Sequence, residues 1–271
     1  MGSLSASSAA AFDALAPRYD ELFSSRANPL KDLMRARVHA ALARHFPPGS
    51  ALLELGCGTG EDTLALTARG HTIVAADPAP TMLTHARAKL ADAGRVAAVR
   101  FVNAGASALA EEWPALGLRV DNVFSNFAPL NCEPSLEPVR RLLEQALRPG
   151  GRFVAVVLPP VCPLEIALFL ARGEPRTALR RFRRHAEADV EGVRFPMRYY
   201  GAGDFDRALG AGFRRVETRS LGLALPPLSF GPRLARAPRL MAALAALEDR
   251  LAGLPGLSRM GDHVILVYER R

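Results

Sequence analysis

A glycine-rich turn offers the clearest chemistry in the sequence. The apolar run at residues 52–55 leads directly into Gly56-Cys57-Gly58-Thr59-Gly60, and Glu61 then begins a predicted helix. Glycines at alternate positions let the backbone bend tightly and approach a ligand without Cβ atoms in the way. The helix start adds unpaired amides and a positive dipole end, which suit a ligand carboxylate. The predicted ligand-site residues of this turn are Glu54, Gly56, Cys57, Gly58 and Gly60.

Asp77 adds a group that suits a ribose. It lies at the end of the next predicted strand, where its carboxylate can accept hydrogen bonds from both ribose hydroxyls, so the spacing indicates an adenosine ligand. A dinucleotide is disfavoured because Glu61 stands where that fingerprint has its third glycine or an alanine, and Asp62 follows it. Two carboxylates at a helix start oppose a pyrophosphate but are compatible with a zwitterionic methionine. A ligand-free turn is the alternative, and it leaves the combination with Asp77 unexplained.

The elements that position these residues alternate regularly. Strands are predicted near 51–55, 72–76, 97–102, 120–125 and 152–158, separated by helices near 61–69, 79–92, 107–113 and 134–147. A further helix near 203–211, a strand near 213–221 and a closing strand over His263–Tyr268 follow. This alternation predicts an α/β fold with a Rossmann-like, doubly wound sheet, mostly parallel with one antiparallel strand near the C-terminus.

The remaining segments suggest the domain organisation. We expect a single domain over 1–271, with an N-terminal helical cap at 1–48 and a Pro-rich excursion containing a helix at 222–258. Residues 159–200 carry two helical stretches where one crossover is expected, which predicts a helical, substrate-capping insertion. Within it, one predicted helical face carries Arg176, Arg180, Arg183 and Arg184, opposite Leu179, Phe182 and Ala186. Such a face either is simply solvated or contacts an anionic lipid, nucleic acid or acidic substrate.

Composition narrows the class of protein. The chain is 49% hydrophobic and 23% charged, which excludes a disordered chain, and no run of about 18 apolar residues predicts a membrane span. Cys57, Cys132 and Cys162 are an odd number at long spacings, so we expect neither a disulfide framework nor a metal site. We expect a cytoplasmic protein without a secretory signal. The net charge of +8 comes from arginines spread along the chain, and we do not expect nucleic acid as a partner.

The chain resembles the class I S-adenosylmethionine-dependent methyltransferases, in particular the small-molecule branch that includes the ubiquinone and menaquinone methyltransferases. The resemblance covers roughly residues 12–158. The segments that carry it are Phe12-Asp13-Ala14-Leu15-Ala16 with Tyr19-Asp20, residues 54–60, Asp77-Pro78 with Met82-Leu83, and Leu147-Arg148-Pro149-Gly150-Gly151. It implies S-adenosyl-L-methionine as cofactor, with Tyr19 over the methionine end, Asp77 on the ribose, and Pro78 and Met82 against the adenine.

One departure from the family concerns the adenine. Family members often carry an Asp after the third strand, in a Gly-Asp-Ala sequence, that bonds the adenine amino group. Here Gly105 stands in that position and Ala106 follows it, so the resemblance implies backbone contacts, or contacts from Asn103 or Ser107. Asn126, at the end of the fourth strand, completes the expected cofactor site.

The acceptor side is less defined. The resemblance implies direct displacement of the methyl group, and His263 beside Asp262, Tyr199 and Tyr200 are candidates for a base or for pocket walls, although packing roles explain them equally well. Residues 126–129 do not match the Asn/Asp/Ser-Pro-Pro-aromatic box of enzymes that methylate a base amine. We expect a small, hydrophobic or anionic metabolite as acceptor. The alternatives are an RNA-directed methyltransferase and a catalytically silent S-adenosylmethionine-binding module. The acceptor atom and the oligomeric state are left open.

Overall fold

The computed structural model describes residues 4–23, 28–190 and 192–271. Seven strands form one sheet in the order β3-β2-β1-β4-β5-β9-β8. The strands of this sheet are β1 (Ala51–Leu55), β2 (Thr72–Ala76), β3 (Val99–Val102), β4 (Val120–Ser125), β5 (Leu147–Val157), β8 (Phe213–Leu221) and β9 (His263–Arg270). The helices that cover it are α1 (Leu4–Phe23), α2 (Pro29–His45), α3 (Glu61–Thr67), α4 (Pro80–Asp92), α5 (Ala106–Leu116), α6 (Glu137–Ala146) and α9 (Ala202–Leu209).

The direction of the strands confirms the predicted fold class. Strands β3, β2, β1, β4 and β5 pair in parallel, whereas β9 is antiparallel to both β5 and β8. β9 is therefore the antiparallel strand of the sheet, near the C-terminus as expected. The sheet is Rossmann-like, and its order changes direction at β1, where β2 lies on one side and β4 on the other.

Both faces of the sheet are buried, as a parallel sheet requires. Successive residues of one strand point to opposite faces, so Leu53 joins the core with α5, α6 and α9, while Leu52 joins the core with α2 and α3. Trp113, Leu142 and Phe205 fill the first core. This packing fixes the carboxyl ends of β1, β2 and β4 next to one another.

The insertion differs from its prediction. It begins with α7 (Pro163–Ala171) and α8 (Pro175–Ala178), followed by a 3-10 turn at Arg180–Arg183, and ends in an antiparallel hairpin of β6 (His185–Val190) and β7 (Val193–Arg198). The expected helical face over 176–184 is therefore wrong. Arg184 has φ +63°, which ends the helical path, and Ala186 lies in a strand. A buried ion pair also draws Arg181 inward.

Two further segments contain helices. The excursion at 222–258 contains α10 (Gly231–Leu234) and α11 (Pro238–Leu251). The cap expected at 1–48 contains α1 and α2, and its residues 1–3 and 24–27 lie outside the described residues. Among the helices that the structure describes, none is both long enough and apolar enough to cross a bilayer.

Candidate active site

The glycine turn is built by close packing as well as by backbone conformation. Gly56 has φ +76°, and a Cβ placed on it would lie 2.3 Å from Cβ of Pro129. A Cβ on Gly60 would lie 3.0 Å from Cβ of Ala86 in α4. Gly58 is different, because the nearest atom to its Cβ position is Cε1 of Tyr19, at 3.9 Å across the cleft. The first two glycines serve packing, whereas Gly58 leaves space beside a ligand cleft.

Asp77 is tied to the turn by its carboxylate. Its Oδ2 accepts a hydrogen bond from the Gly58 amide at 2.8 Å, and Oδ1 accepts one from the Ala79 amide at 2.9 Å. Burial raises the pKa of Asp77 to about 6, although the two amides favour its ionised form. Each carboxylate oxygen has a second lone pair, so the side chain can still accept two more hydrogen bonds.

A cleft opens at the carboxyl ends of β1, β2 and β4. It encloses about 800 Å³, counting the open solvent at its mouth. Nine of the expected cofactor residues line it, namely Tyr19, Gly56, Gly58, Asp77, Pro78, Met82, Gly105, Ala106 and Asn126. The lining also includes Ser8, Phe12, Phe127, Cys132 and Glu133, which were not expected.

The other three expected cofactor residues support the cleft from behind. Glu54 is buried and accepts a hydrogen bond from Thr63 Oγ1 at 2.5 Å. Cys57 is buried in the core with α2, and its thiol lies 3.7 Å from the Gly58 carbonyl oxygen. Gly60 packs on α4. Their contacts hold the shape of the turn, and none of the three lines the cleft.

Helix α1 is fastened over the cleft by two carboxylates. Asp13 Oδ1 accepts a hydrogen bond from the Thr81 amide at 2.7 Å, at the start of α4. Asp20 accepts one from Thr59 Oγ1 at 2.5 Å and pairs with Lys89 at 2.8 Å. These bonds hold the α1 side chains that line the cleft, which makes α1 its roof.

The two carboxylates that follow the turn are neutralised by α2. Arg35 pairs with Asp62 Oδ1 at 2.5 Å and with Glu61 Oε2 at 3.1 Å. His39 lies 2.7 Å from Asp62 Oδ1, and Asn126 Nδ2 donates to Oδ2 at 2.8 Å. Although burial opposes ionisation, Arg35 and these partners hold the pKa of Asp62 well below its usual range. Asp62 is thus an ionised structural anchor.

Lys31 is a second cation from α2 that the sequence did not single out. Its side chain is 6% exposed, and Nζ lies 4.5 Å from the ring centre of Phe23 and 5.4 Å from that of Phe127. Burial, together with the charge of Arg35, lowers the pKa of Lys31 to about 7. The Phe127 ring, which lines the cleft, therefore lies near a lysine that titrates near neutrality.

Glu133 supplies a carboxylate to the cleft wall where the expected aspartate is missing. Its Oε1 accepts a hydrogen bond from the Ala106 amide at 3.2 Å, and Oε2 accepts one from Ser107 Oγ at 3.2 Å. Burial raises the pKa of Glu133 above its usual value. Asn103 is directed elsewhere, since its Nδ2 donates to the Asp77 carbonyl oxygen at 3.0 Å. The side chain beside Gly105 is therefore Glu133.

The three candidate residues for the acceptor side do not line the cleft. Tyr200 Oη donates a hydrogen bond to the Glu133 carbonyl oxygen at 2.7 Å, and Tyr199 is buried under the guanidinium of Arg181. His263 Nδ1 lies 3.1 Å from Asp262 Oδ2, as the sequence suggested, but its ring packs edge-on against Phe127 behind the cleft wall. All three support the wall from outside.

Glu54 gives the structure a pH dependence that can be measured. Burial, together with the Asp62 carboxylate, raises the pKa of Glu54 to about 8. Between the unfolded-state pKa of about 4.3 and the folded-state pKa of about 8, the folded chain keeps a proton on Glu54 that the unfolded chain has lost. The free energy of unfolding therefore decreases as the pH rises through this range. Relative to a Glu54→Gln variant, we expect the free energy of unfolding of the native chain to fall by on the order of 2 kcal/mol between pH 5 and 8. Urea unfolding of both proteins at each pH tests this, and a constant difference between them would contradict it.

Comparisons with known proteins agree with this geometry. Residues 52–151 match a family model described as a methyltransferase domain. The ubiquinone/menaquinone biosynthesis C-methyltransferase UbiE of Vibrio cholerae is 30% identical over 155 residues, 54% of this chain and 54% of that protein. The chain thus spans about half the length of the curated relatives it matches. The resemblance to class I S-adenosylmethionine-dependent methyltransferases is confirmed.

Two solved structures share the fold. The CcbJ methyltransferase from Streptomyces caelestis superposes with a TM-score of 0.59 at 19% identity, covering 96% of this chain and 97% of that one. The 1,6-didemethyltoxoflavin-N1-methyltransferase of Burkholderia thailandensis gives a TM-score of 0.55 at 20% identity, covering 98% of this chain and 88% of that one. At these identities the likeness establishes the fold alone.

Proposed function

We propose that this chain, whose residues 52–151 belong to a methyltransferase domain family, transfers a methyl group from S-adenosylmethionine to a small organic acceptor. The observation that carries the proposal is the cleft at the carboxyl ends of β1, β2 and β4, where Asp77 and Gly58 face the same space. Ligands of open α/β sheets bind at this place, where the strand order changes direction. The same combination of groups is expected for an adenosine linked to an amino acid.

The residues present fit this cofactor. Asp77 retains acceptor capacity for two ribose hydroxyls, and Met82 and Pro78 offer apolar surface for an adenine. Gly58 leaves space for the amino-acid end, and Tyr19 closes over it. Because Arg35 pairs with both Glu61 and Asp62, a ligand carboxylate at the start of α3 meets less negative charge than the two acidic side chains alone would present.

The reaction would require alignment more than acid–base chemistry. When bound, the cofactor supplies an electrophilic methyl group, and the protein contributes by holding the acceptor nucleophile in line with it. Phe12 and Phe127 give the cleft apolar walls, and Cys132 lines it as a neutral thiol, since burial raises its pKa to about 12. We assign no base to His263, Tyr199 or Tyr200, because none of them lines the cleft.

A small acceptor is favoured over RNA by the roof of the cleft. The α1 residues Ser8, Ala9 and Phe12 line the cleft together with Cys132 and Glu133, so α1 covers part of the space. An RNA-directed enzyme would present a shallow, basic groove beside the cofactor instead. The relatives' names agree with this choice, since one acts in ubiquinone/menaquinone biosynthesis and the other on a didemethyltoxoflavin.

Binding and turnover test the proposal separately. Calorimetric titration of the full chain with S-adenosylhomocysteine measures the cofactor site, with inosine nucleotides as a control. A mixture of phenols, heteroaromatic amines and quinol precursors, incubated with methyl-labelled S-adenosylmethionine, then reports methyl transfer by mass spectrometry. We expect binding in the micromolar range and label in at least one acceptor. Absence of cofactor binding would refute the proposal, and binding without transfer to any acceptor would favour the silent module.

We propose that Glu133 accepts a hydrogen bond from the adenine amino group, in place of the aspartate that family members often carry at the position of Gly105. A carboxylate accepts from that amino group but repels the O6 carbonyl oxygen of a hypoxanthine. We therefore expect the native chain to bind S-inosylhomocysteine about tenfold to a hundredfold more weakly than S-adenosylhomocysteine, a difference of about 1.5–3 kcal/mol.

A Glu133→Gln variant should narrow this difference, because an amide can donate to O6 while still accepting from the Ala106 amide. Glu137→Gln, at an exposed glutamate of α6, is the matched control and should leave it unchanged. If the native chain and the Glu133 variant prefer S-adenosylhomocysteine over S-inosylhomocysteine to the same extent, Glu133 does not recognise the adenine.

A further inference from the structure

Helix α7 buries a charged side chain and leaves a large apolar one exposed. Its sequence is Pro-Leu-Glu-Ile-Ala-Leu-Phe-Leu-Ala, yet its buried side chain is that of Glu165, and Leu170 is 51% exposed. A surface helix normally buries its apolar face and exposes its charges. Here Arg181 draws the glutamate inward, bonding Oε2 at 2.6 Å and Oε1 at 3.2 Å. The other large apolar side chains of the helix are only partly buried, and Leu170 at its end is exposed.

The turn after α7 extends this apolar surface. Leu179 is 48% exposed and Phe182 is 52% exposed, so together with Leu170 they place three large apolar side chains on the outside of one short segment. Soluble proteins expose single apolar residues routinely, but a group of them indicates a contact surface.

The segment that carries the three side chains is also rich in arginine. Residues 163–184 contain six arginines and two glutamates. Arg172, Arg176 and Arg183 are exposed, and none of them forms an ion pair with any residue that the structure describes. We call Leu170, Leu179, Phe182 and these three arginines the apolar-basic surface. Its charges are free to meet an external anion.

We propose that the apolar-basic surface docks the protein on an anionic lipid bilayer. Exposed apolar side chains and exposed arginines in one segment match the boundary between acyl chains and negatively charged headgroups, where the apolar groups insert and the guanidinium groups contact phosphates. The net charge of +8 favours the same partner over long range.

Other occupants fit the surface less well. A second copy in a symmetric dimer would place the same arginines against one another, because such an interface uses the same patch twice. Single-stranded nucleic acid binds on aromatic platforms, whereas two of the three apolar side chains here are leucines. The anionic bilayer is the occupant that satisfies both the charge and the aliphatic character.

The position of the surface gives the docking a consequence, which rests on the proposed function. The insertion leaves the sheet at the carboxyl end of β5, the edge where the cleft opens, and its β7 residue Phe195 packs on Phe12 of the roof, with ring centres 4.8 Å apart. Docking would therefore bring the acceptor end of the cleft near lipid, which suits an apolar acceptor dissolved in the membrane.

Vesicle sedimentation of the full chain tests the docking without cofactor or acceptor, so its failure would leave methyl transfer untouched. We expect binding to phosphatidylcholine vesicles that contain phosphatidylglycerol, weaker binding to phosphatidylcholine alone, and loss of binding at high salt. Replacing Arg172, Arg176 and Arg183 by glutamine should weaken binding roughly a hundredfold, since each arginine near such a surface contributes about 1 kcal/mol. Leu170→Ser with Phe182→Ser should weaken it at least about tenfold.

Matched controls lie in or next to β3, which is the outermost strand at one side of the sheet. Val96→Ser replaces a 40% exposed apolar residue before β3, and Arg100→Gln replaces an exposed arginine of β3. Neither should change vesicle binding. Absence of binding to anionic vesicles, or equal binding by the surface variants and the controls, would overturn the proposal. A dimer in sedimentation velocity that the leucine and phenylalanine variants abolish, without vesicle binding, would assign the surface to a second copy instead. The arginine variants keep the test decisive if the apolar variants fail to fold.

Discussion

Replacement of Asp77 by alanine is expected to weaken binding of S-adenosylhomocysteine by about a hundredfold or more. The carboxylate accepts from two backbone amides and retains lone pairs for two ribose hydroxyls. Each hydrogen bond to a charged acceptor contributes about 1.5–3 kcal/mol, so the loss of two is a large fraction of a micromolar affinity. Isothermal titration at pH 8, above the raised pKa of about 6, measures the ionised form.

The alanine also removes a cap from the Gly58 amide, so a structural effect must be separated from a direct one. Asp121→Ala is the matched control, because Asp121 likewise accepts a hydrogen bond from a backbone amide, that of Ala51, but does not line the cleft. A 2′,3′-dideoxyribose analogue of S-adenosylhomocysteine provides a second comparison. The native chain should bind this analogue much more weakly than S-adenosylhomocysteine, whereas the Asp77 variant should bind the two almost equally. Equal discrimination by both proteins would mean that Asp77 only shapes the turn.

The parts of the fold that depend on local patterns were predictable from the sequence. The apolar strand before Gly56 and the helix after Gly60 are specified by neighbouring residues, and alternation of such units leaves few ways to build a sheet. The antiparallel strand near the C-terminus was expected, and the pairing of β9 confirms it.

The insertion was not predictable because a distant contact decides its shape. The spacing of arginines and apolar residues from Arg176 to Arg184 fits a helix, and nothing local contradicts it. In the structure, Arg181 bonds Asp262, which lies next to β9 and far away in sequence. That contact turns the chain, Arg184 takes a positive φ, and the following residues pair as a hairpin. Tertiary bonding outweighs helical periodicity here.

The candidate site also contains residues that local sequence predicts and residues that it does not. The glycines of the turn and Asp77 were predicted because each directly follows a strand that the sequence itself indicates. Glu133, Arg35 and Lys31 were missed because each acts on a partner from another element. The sequence contained a signal for two of them. The missing aspartate at Gly105 indicates that another carboxylate is needed at this edge of the sheet, and Glu133 supplies it. The adjacent carboxylates Glu61 and Asp62 indicate a nearby cation, which is Arg35.

The second large effect is expected for Arg181→Met. Arg181 is 5% exposed and pairs with Glu165 at 2.6 Å and with Asp262 at 2.9 Å. Its Nη1 also donates to the Asp262 carbonyl oxygen at 2.9 Å. Removing it leaves a buried glutamate without its main partner, so we expect the free energy of unfolding to fall by about 3–5 kcal/mol. Urea unfolding followed by circular dichroism measures this.

Two comparisons make the reason for that loss testable. Arg194→Met removes an ion pair with Asp189 in the same insertion, but Arg194 is 67% exposed, so its cost should stay below about 1 kcal/mol. Arg181→Met combined with Glu165→Leu replaces the ion pair by apolar groups. We expect this double variant to recover a large part of the lost free energy of unfolding, because most of the loss comes from leaving the buried Glu165 carboxylate without a partner. If the double variant is no more stable than Arg181→Met alone, the loss comes from the bonds to Asp262 that fasten the insertion to β9. Limited proteolysis within residues 163–184 would then increase in both variants, and the support that Phe195 gives to the roof of the cleft would be lost with it.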